Sequence, residues 1–123
     1  KPIQSLNLYK DGAAEALNLS DELIALTTAS HHAEIIHQEM VNNWLKKMNL
    51  NESHLSCGPT WPWNKNDQFE AYSKYKIKRK IFHNCSGKHC GHLAVCQHKD
   101  LPIKNYQNRE HPIQKNLIQL IDD

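Results

Sequence analysis

Several absences narrow the function of this chain before any motif is considered. Its 123 residues carry a formal net charge of only +2, which gives little reason to expect binding to nucleic acid or to an anionic membrane. No apolar stretch is long enough to cross a bilayer, and no signal-peptide pattern opens the sequence. The chain starts with Lys1-Pro2 rather than with methionine, so we expect a piece of a longer protein. What remains is one globular segment of ordinary composition, with no internal repeat.

The predicted secondary structure is mostly helical. Ser20 is a good N-cap for a helix that runs to Leu26, and Pro112 sits where a last helix would begin. Only Lys78–Phe82 has any strand character. The further helices are predicted by their apolar spacing and flanking residues over Ala33–Met48, from about Asn64 to Tyr75 and from Ser86 or Gly87 to about His98.

Thiol and imidazole groups are concentrated in residues 83–98, which hold three of the four cysteines and four of the nine histidines. Cys85 precedes the predicted helix start and Lys88 follows three residues later, so their side chains can converge. A thiolate there is favoured by the helix N-terminus and the lysine. The spacing equally allows inert buried cysteines with capping histidines. Disulfides within one helix are awkward, so we expect a reducing compartment and a cytoplasmic protein.

Two other segments have compositions that suggest a site. Ser30 follows three small residues between two predicted helices, where it is either an N-cap or a hydroxyl in a catalytic site. The loop Cys57-Gly58-Pro59-Thr60-Trp61-Pro62 has two prolines and a tryptophan, which fix the backbone more tightly than a linker requires. It is either a structural loop or one that lines a pocket.

Taken together, five ordered segments resemble the bacterial L-asparaginase II family, the Rhizobium-type enzymes. They cover essentially the whole chain, and their order makes the resemblance specific. They are Lys1-Pro2-Ile3-Gln4, Ala29-Ser30-His31, Cys57-Gly58-Pro59-Thr60-Trp61-Pro62, Asn84-Cys85-Ser86-Gly87-Lys88-His89 and His111-Pro112-Ile113-Gln114.

The resemblance implies a fold and a reaction. The family's fold is similar to that of serine β-lactamases and penicillin-binding proteins, so residues 1–123 would be the mostly α segment of an α+β fold, with the sheet largely outside this chain. The implied reaction is hydrolysis of the small molecule L-asparagine to L-aspartate and ammonia. A homodimer is an open expectation, because the family is often dimeric.

The resemblance also implies roles for seven residues. Lys1 matches the lysine of a Ser-x-x-Lys pair whose serine precedes the chain, and Ser30 matches the serine of a second pair whose lysine lies downstream. Cys85 and Lys88 match two ligands of a Zn²⁺ site, with a further cysteine ligand outside the chain. The implied substrate-binding residues are His31, Gly87 and His89. The sequence differs from the family pattern at His32-Ala33, Thr60 and Cys90.

One alternative belongs to another functional class. Cys85, Cys90, Cys96 and His98 would form a small zinc-binding interaction module if all four bound one metal ion. The number of ligands that the chain gives to one metal separates the two hypotheses: two favour the enzyme, and four favour the module.

Overall fold

The computed structural model of the chain describes residues 1–10 and 12–122, and in these residues it is helical without a β-strand. The predicted mostly α architecture is therefore confirmed. The helices, in chain order, are α1 Pro2–Ser5, α2 Asn7–Lys10, α3 Ala13–Ala16, α4 Asp21–Thr28, α5 Ile35–Lys47, α6 Lys65–Tyr75, α7 Ser86–His98 and α8 Pro112–Asp122. Two 3₁₀ helices span Glu52–His54 and Lys80–Phe82.

Helix α7 forms the centre of the fold. Ten of its thirteen residues are buried, and α4 makes its most extensive helix contact. Helices α1, α2, α3, α5 and α8 also pack on α7. A helix buried on all sides cannot show a one-sided apolar stripe, and this is why small and apolar residues recur along its whole length.

Capping chemistry explains where several helices begin. The Ser20 side chain accepts a hydrogen bond from the Leu23 N–H at the start of α4, as its position predicts. The Asn64 side chain accepts from two backbone N–H groups at the start of α6. The helices predicted after Ser20 and from about Asn64 are therefore confirmed as α4 and α6.

Some predicted details are wrong. The segment Lys78–Phe82 is not a strand: Arg79 makes an isolated antiparallel bridge to Thr60, and a 3₁₀ helix follows it. The predicted helix over residues 33–48 begins two residues later, at Ile35. Ile36, which the apolar spacing places on the same face as Val41 and Trp44, is exposed. Ile121 is also exposed, although the apolar pattern of α8 places it with the buried Ile113 and Leu117.

The four cysteines are free thiols, and Cys57, Cys90 and Cys96 are buried. Among the helices of residues 1–10 and 12–122, none has the length and apolarity that crossing a membrane requires.

Candidate active site

An open pocket of about 340 Å³ lies where three loop segments meet. The first segment connects α4 to α5. The second is the loop that contains Cys57-Gly58-Pro59-Thr60-Trp61-Pro62, called the Pro-Trp loop below, and the third leads into α7. The residues lining this pocket are Ser30, His31, His32, Thr60, Trp61, Trp63, Phe82, His83 and Asn84. The sequence predicts that the Pro-Trp loop is either structural or lines a pocket. Its residues Thr60 and Trp61 line the pocket, so the second alternative is confirmed.

Lys1 and Ser30 are hydrogen-bonded at this pocket. The distance from Lys1 Nζ to Ser30 Oγ is 2.9 Å. Lys1 Nζ also lies 2.6 Å from the carbonyl oxygen of Ala29 and 3.4 Å from that of Asn84. The three acceptors come from two loops and hold the amine against the serine hydroxyl.

Ser30 does not cap a helix. Helix α4 ends at Thr28, and the N-cap of α5 is Glu34, so Ser30 lies in the extended connection between them. Its hydroxyl is exposed and bonds to Lys1. The capping alternative is wrong, and the hydroxyl is available for chemistry.

His31 lines the pocket and belongs to a buried hydrogen-bond chain. Its Nδ1 accepts from the Ala33 N–H at 3.0 Å, which places the ring proton on Nε2. Nε2 then donates to Ser86 Oγ at 2.7 Å, and Ser86 donates to the carbonyl of Ile81 at 3.1 Å. Burial, followed by the charges of His37 and Lys1, lowers the pKa of His31 to about 4. His31 is therefore neutral near pH 7 and links the Ser30 loop to the start of α7.

The Pro-Trp loop is attached to both other loops. Thr60 exchanges two backbone hydrogen bonds with Arg79, at 3.2 and 3.1 Å. The Trp63 N–H donates to the carbonyl of His32 at 3.1 Å, and the two rings stack with centroids 5.3 Å apart. Pro62, which lies in the chain between Thr60 and Trp63, is fully buried. Thr60 and His32, which depart from the family pattern, thus both lie at the pocket.

Cys85 and Lys88 occupy the start of α7. Cys85 is the N-cap residue and Lys88 lies in the first turn, and both are partly exposed. Cys57 lies near enough to interact electrostatically with both. Burial raises the pKa of Cys57 to about 11, so this thiol is protonated near neutral pH. The Cys85 thiol is a ligand type that zinc binds, and the Lys88 amine would have to lose its proton to bind a metal, so the two residues are an incomplete ligand set on their own.

Gly87 and His89 are placed in the core and do not line the pocket. A Cβ on Gly87 would lie 2.6 Å from the carbonyl oxygen of Leu26, so this glycine permits the close approach of α4 and α7. His89 Nδ1 and the Tyr106 hydroxyl are hydrogen-bonded at 2.7 Å, and the same hydroxyl accepts from the Ser56 N–H at 2.7 Å. Burial lowers the pKa of His89 to about 3, with a further contribution from Lys88. Their substrate-binding roles stay predictions.

His83 is a pocket residue that sequence reasoning did not select. Its Nδ1 accepts from the Cys85 N–H at 3.0 Å, and the ring lines the pocket beside Asn84. Burial, and then Lys1 and Lys88, lower the pKa of His83. The signal that was available is local: a histidine two residues before a helix N-cap is placed to accept that residue's N–H.

The four-ligand zinc module is not assembled. Cys90 and Cys96 are fully buried on α7, and burial raises the pKa of both thiols, that of Cys96 to about 11. Over residues 1–10 and 12–122, no three His, Cys, Asp or Glu side chains come together in a way that could hold a metal ion.

Fold and site together define a helical protein with a hydroxyl and an amine in contact at an open pocket lined by polar and aromatic side chains, a class of site suited to nucleophilic hydrolysis. The comparison with protein families identifies it further: the model of the L-asparaginase II family matches residues 1–123. The chain belongs to the L-asparaginase II family, which supports an L-asparaginase-type function at the level of the family. A comparison with curated proteins returned no match.

Proposed function

We propose that this chain contributes Ser30 and Lys1 to the hydrolysis of L-asparagine to L-aspartate and ammonia. The observation that carries the proposal is the 2.9 Å contact between Lys1 Nζ and Ser30 Oγ at the pocket. An unactivated serine is a weak nucleophile, and an adjacent amine that accepts its proton makes it effective.

The surroundings of Lys1 suit a base. When Nζ carries two protons, it can donate them to the carbonyls of Ala29 and Asn84 and turn its lone pair toward Ser30 Oγ. Ser30 Oγ then attacks the side-chain amide carbon of asparagine, and its proton passes to Lys1. The proton leaves with the amide nitrogen as ammonia. Water hydrolyses the resulting ester, releasing aspartate and restoring the Ser30 hydroxyl.

His31 and Ser86 keep the reacting loop in place. Their 2.7 Å hydrogen bond connects the residue after Ser30 to the residue after Cys85. A neutral imidazole held on both nitrogens does not compete for the Ser30 proton, so His31 acts here as a positioning residue.

We also propose that Cys85 and Lys88 are two ligands of a zinc ion completed by groups from elsewhere in the protein. Zinc bound there would supply a fixed positive charge close to the pocket. The thiol at the helix N-terminus favours ligation, because the helix dipole stabilises a thiolate. The β-lactamase-like architecture, the homodimer and the cytoplasmic location stay predictions.

The test is ammonia release from L-asparagine by the full-length protein and its variants. We expect Ser30→Ala and Lys1→Met to lower kcat by about 10³-fold or more, the scale seen when a nucleophile or its base is removed. Ser73→Ala, on the exposed face of α6, is the matched control and should keep parental activity. Cys85→Ala should lower the zinc content and leave a smaller defect.

Two results would contradict the proposal. An inactive, folded and zinc-replete parent would remove the asparaginase function. An active parent with an equally active Ser30→Ala variant would remove the assignment of Ser30 and Lys1.

A further inference from the structure

The pocket beside Ser30 has the lining of a site for an anionic group. Its nine lining residues include no aspartate or glutamate. They include hydroxyl and imidazole groups, and the amine of Lys1 bonds to Ser30 at the pocket. Hydrogen-bond donors without a competing carboxylate favour binding of a carboxylate.

The ring of His83 lines this pocket. Because Nδ1 accepts the Cys85 N–H at 3.0 Å, the neutral ring carries its proton on Nε2. Over residues 1–10 and 12–122, the hydrogen bond that the structure shows for this ring is the one at Nδ1. Lys1 and Lys88 lie close enough to interact electrostatically with this ring, so the potential around it is positive.

We propose that His83 Nε2–H binds the carboxylate of the substrate and so positions its amide beside Ser30. The inference rests on the proposed function for the identity of the substrate, and it adds a carboxylate-recognition residue that neither the motifs nor the family match assigned. The backbone supports this role, because Asn84, the next residue, places its carbonyl on Lys1 at 3.4 Å. Asn84 thus holds the base, Lys1, and the neighbouring His83 supplies the hydrogen-bond donor for the substrate.

Two substitutions separate the donor of His83 from its acceptor. In His83→Asn, the side-chain oxygen can still accept the Cys85 N–H as an Asx turn does, while the donor at the position of Nε2 is lost. In His83→Gln, an amide N–H reaches about as far as Nε2, while the short-range acceptor is lost. The matched control is His54→Asn, because His54 Nδ1 accepts the Asn51 N–H at 3.1 Å and lies outside the pocket.

In the full-length protein we expect His83→Asn to raise KM for L-asparagine about 10- to 100-fold with little change in kcat, since a hydrogen bond to a charged group is lost. Calorimetry should show a similar weakening of the affinity for succinate. The inhibition constant of β-alaninamide, which is asparagine without its α-carboxylate, should not change. His83→Gln should recover much of the loss, and His54→Asn should match the parent.

The outcomes distinguish this inference from the proposed function. A parent that releases no ammonia but binds succinate, with weaker binding in His83→Asn, would remove the asparaginase function and leave the carboxylate site supported. A parent that does not bind succinate, or a His83→Asn variant with parental KM and parental succinate affinity, would overturn the inference. Equal losses for asparagine and β-alaninamide would also overturn it, because a carboxylate contact affects only the first.

Discussion

At the scale of single residues, the polar side chains of this chain fall into two groups. Side chains of the first group, such as Ser30 and His83, line the pocket, where they can form hydrogen bonds with a bound molecule. Those in the core, such as Ser86 and Tyr106, make all their bonds inside the protein. Since a buried polar group must be paired to avoid a desolvation cost, the second group determines how precisely the first is held.

The Tyr106 hydroxyl offers a test of that dependence. It is fully buried, accepts from the Ser56 N–H at 2.7 Å and is hydrogen-bonded to His89 Nδ1 at 2.7 Å. Replacing Tyr106 with Phe would leave both partners unpaired, so we expect the free energy of unfolding to fall by about 1–3 kcal/mol. Urea denaturation of the full-length protein measures it, with Tyr9→Phe, at an exposed tyrosine, as control. Equal losses in the two variants would contradict the expected pairing.

At the scale of elements, the contact between α4 and α7 positions the site. Helix α4 ends at Thr28, just before Ser30, and α7 begins at Ser86, beside Cys85. Gly87 and Gly91 let the two helices approach closely: a Cβ on Gly87 would meet Leu26, and one on Gly91 would lie 3.0 Å from Thr27 Cγ2. The distance between the Ser30 loop and the candidate zinc ligands Cys85 and Lys88 therefore depends on these two glycines.

Gly87→Ala should therefore destabilise the protein although alanine is the better helix former. Helix propensity alone would stabilise the variant by about 1 kcal/mol. The clash with the Leu26 carbonyl at 2.6 Å involves backbone and cannot be relieved by a side-chain rotation, so we expect a net loss of about 1–3 kcal/mol. Thermal unfolding compared with Gly58→Ala, where no atom lies within 4 Å, measures the difference. A Gly87→Ala variant more stable than its parent would show that the helices move apart freely.

The elements also show what the sequence could predict. Helices α4, α6 and α8 have strong local signals, a capping Ser or Asn or a proline at the first turn, and the sequence predicts them nearly to their ends. Helix α7 is also predicted nearly to its ends, although its N-cap residue, Cys85, makes no side-chain capping bond. Helices α1, α2 and α3 have four residues each and were not predicted. A single turn does not hold its own structure in water, so packing on α7 and its neighbours stabilises it.

The difference between what local sequence signals determine and what packing determines also applies to the site. The segments around Ser30, Thr60 and Cys85 were selected by motif, because each is continuous in the sequence. The hydrogen bond between Lys1 and Ser30 joins residues far apart in the chain, and the motifs assigned each of them a different partner. Such a contact depends on how α1, α4 and α7 pack together, which local patterns do not encode.

At the scale of the whole molecule, neutral histidines make the fold sensitive to acid. Burial, as the largest cause, lowers the pKa of His31 and of His92 to about 4 and that of His89 to about 3. In the unfolded chain these groups titrate near pH 6.5. As the pH falls below 6.5, the unfolded state binds protons that the folded state does not, so stability declines. The decline continues until the pH reaches the folded-state pKa values, and each histidine contributes about 1.4 kcal/mol per pH unit between the two limits.

His92 is the best histidine with which to measure this effect. Its Nε2 is buried and has no hydrogen-bond partner in the described part of the chain, so replacing the ring with leucine breaks no bond at that atom. We expect His92→Leu to leave stability near pH 7.5 little changed and to reduce the slope of unfolding free energy against pH by about 1.4 kcal/mol per unit around pH 5. Urea denaturation from pH 7.5 to 4 in the full-length protein measures both, with His54→Leu as the control. A parental slope in His92→Leu would mean that this histidine is already protonated in the folded protein. The acid sensitivity would then have to come from the other buried groups.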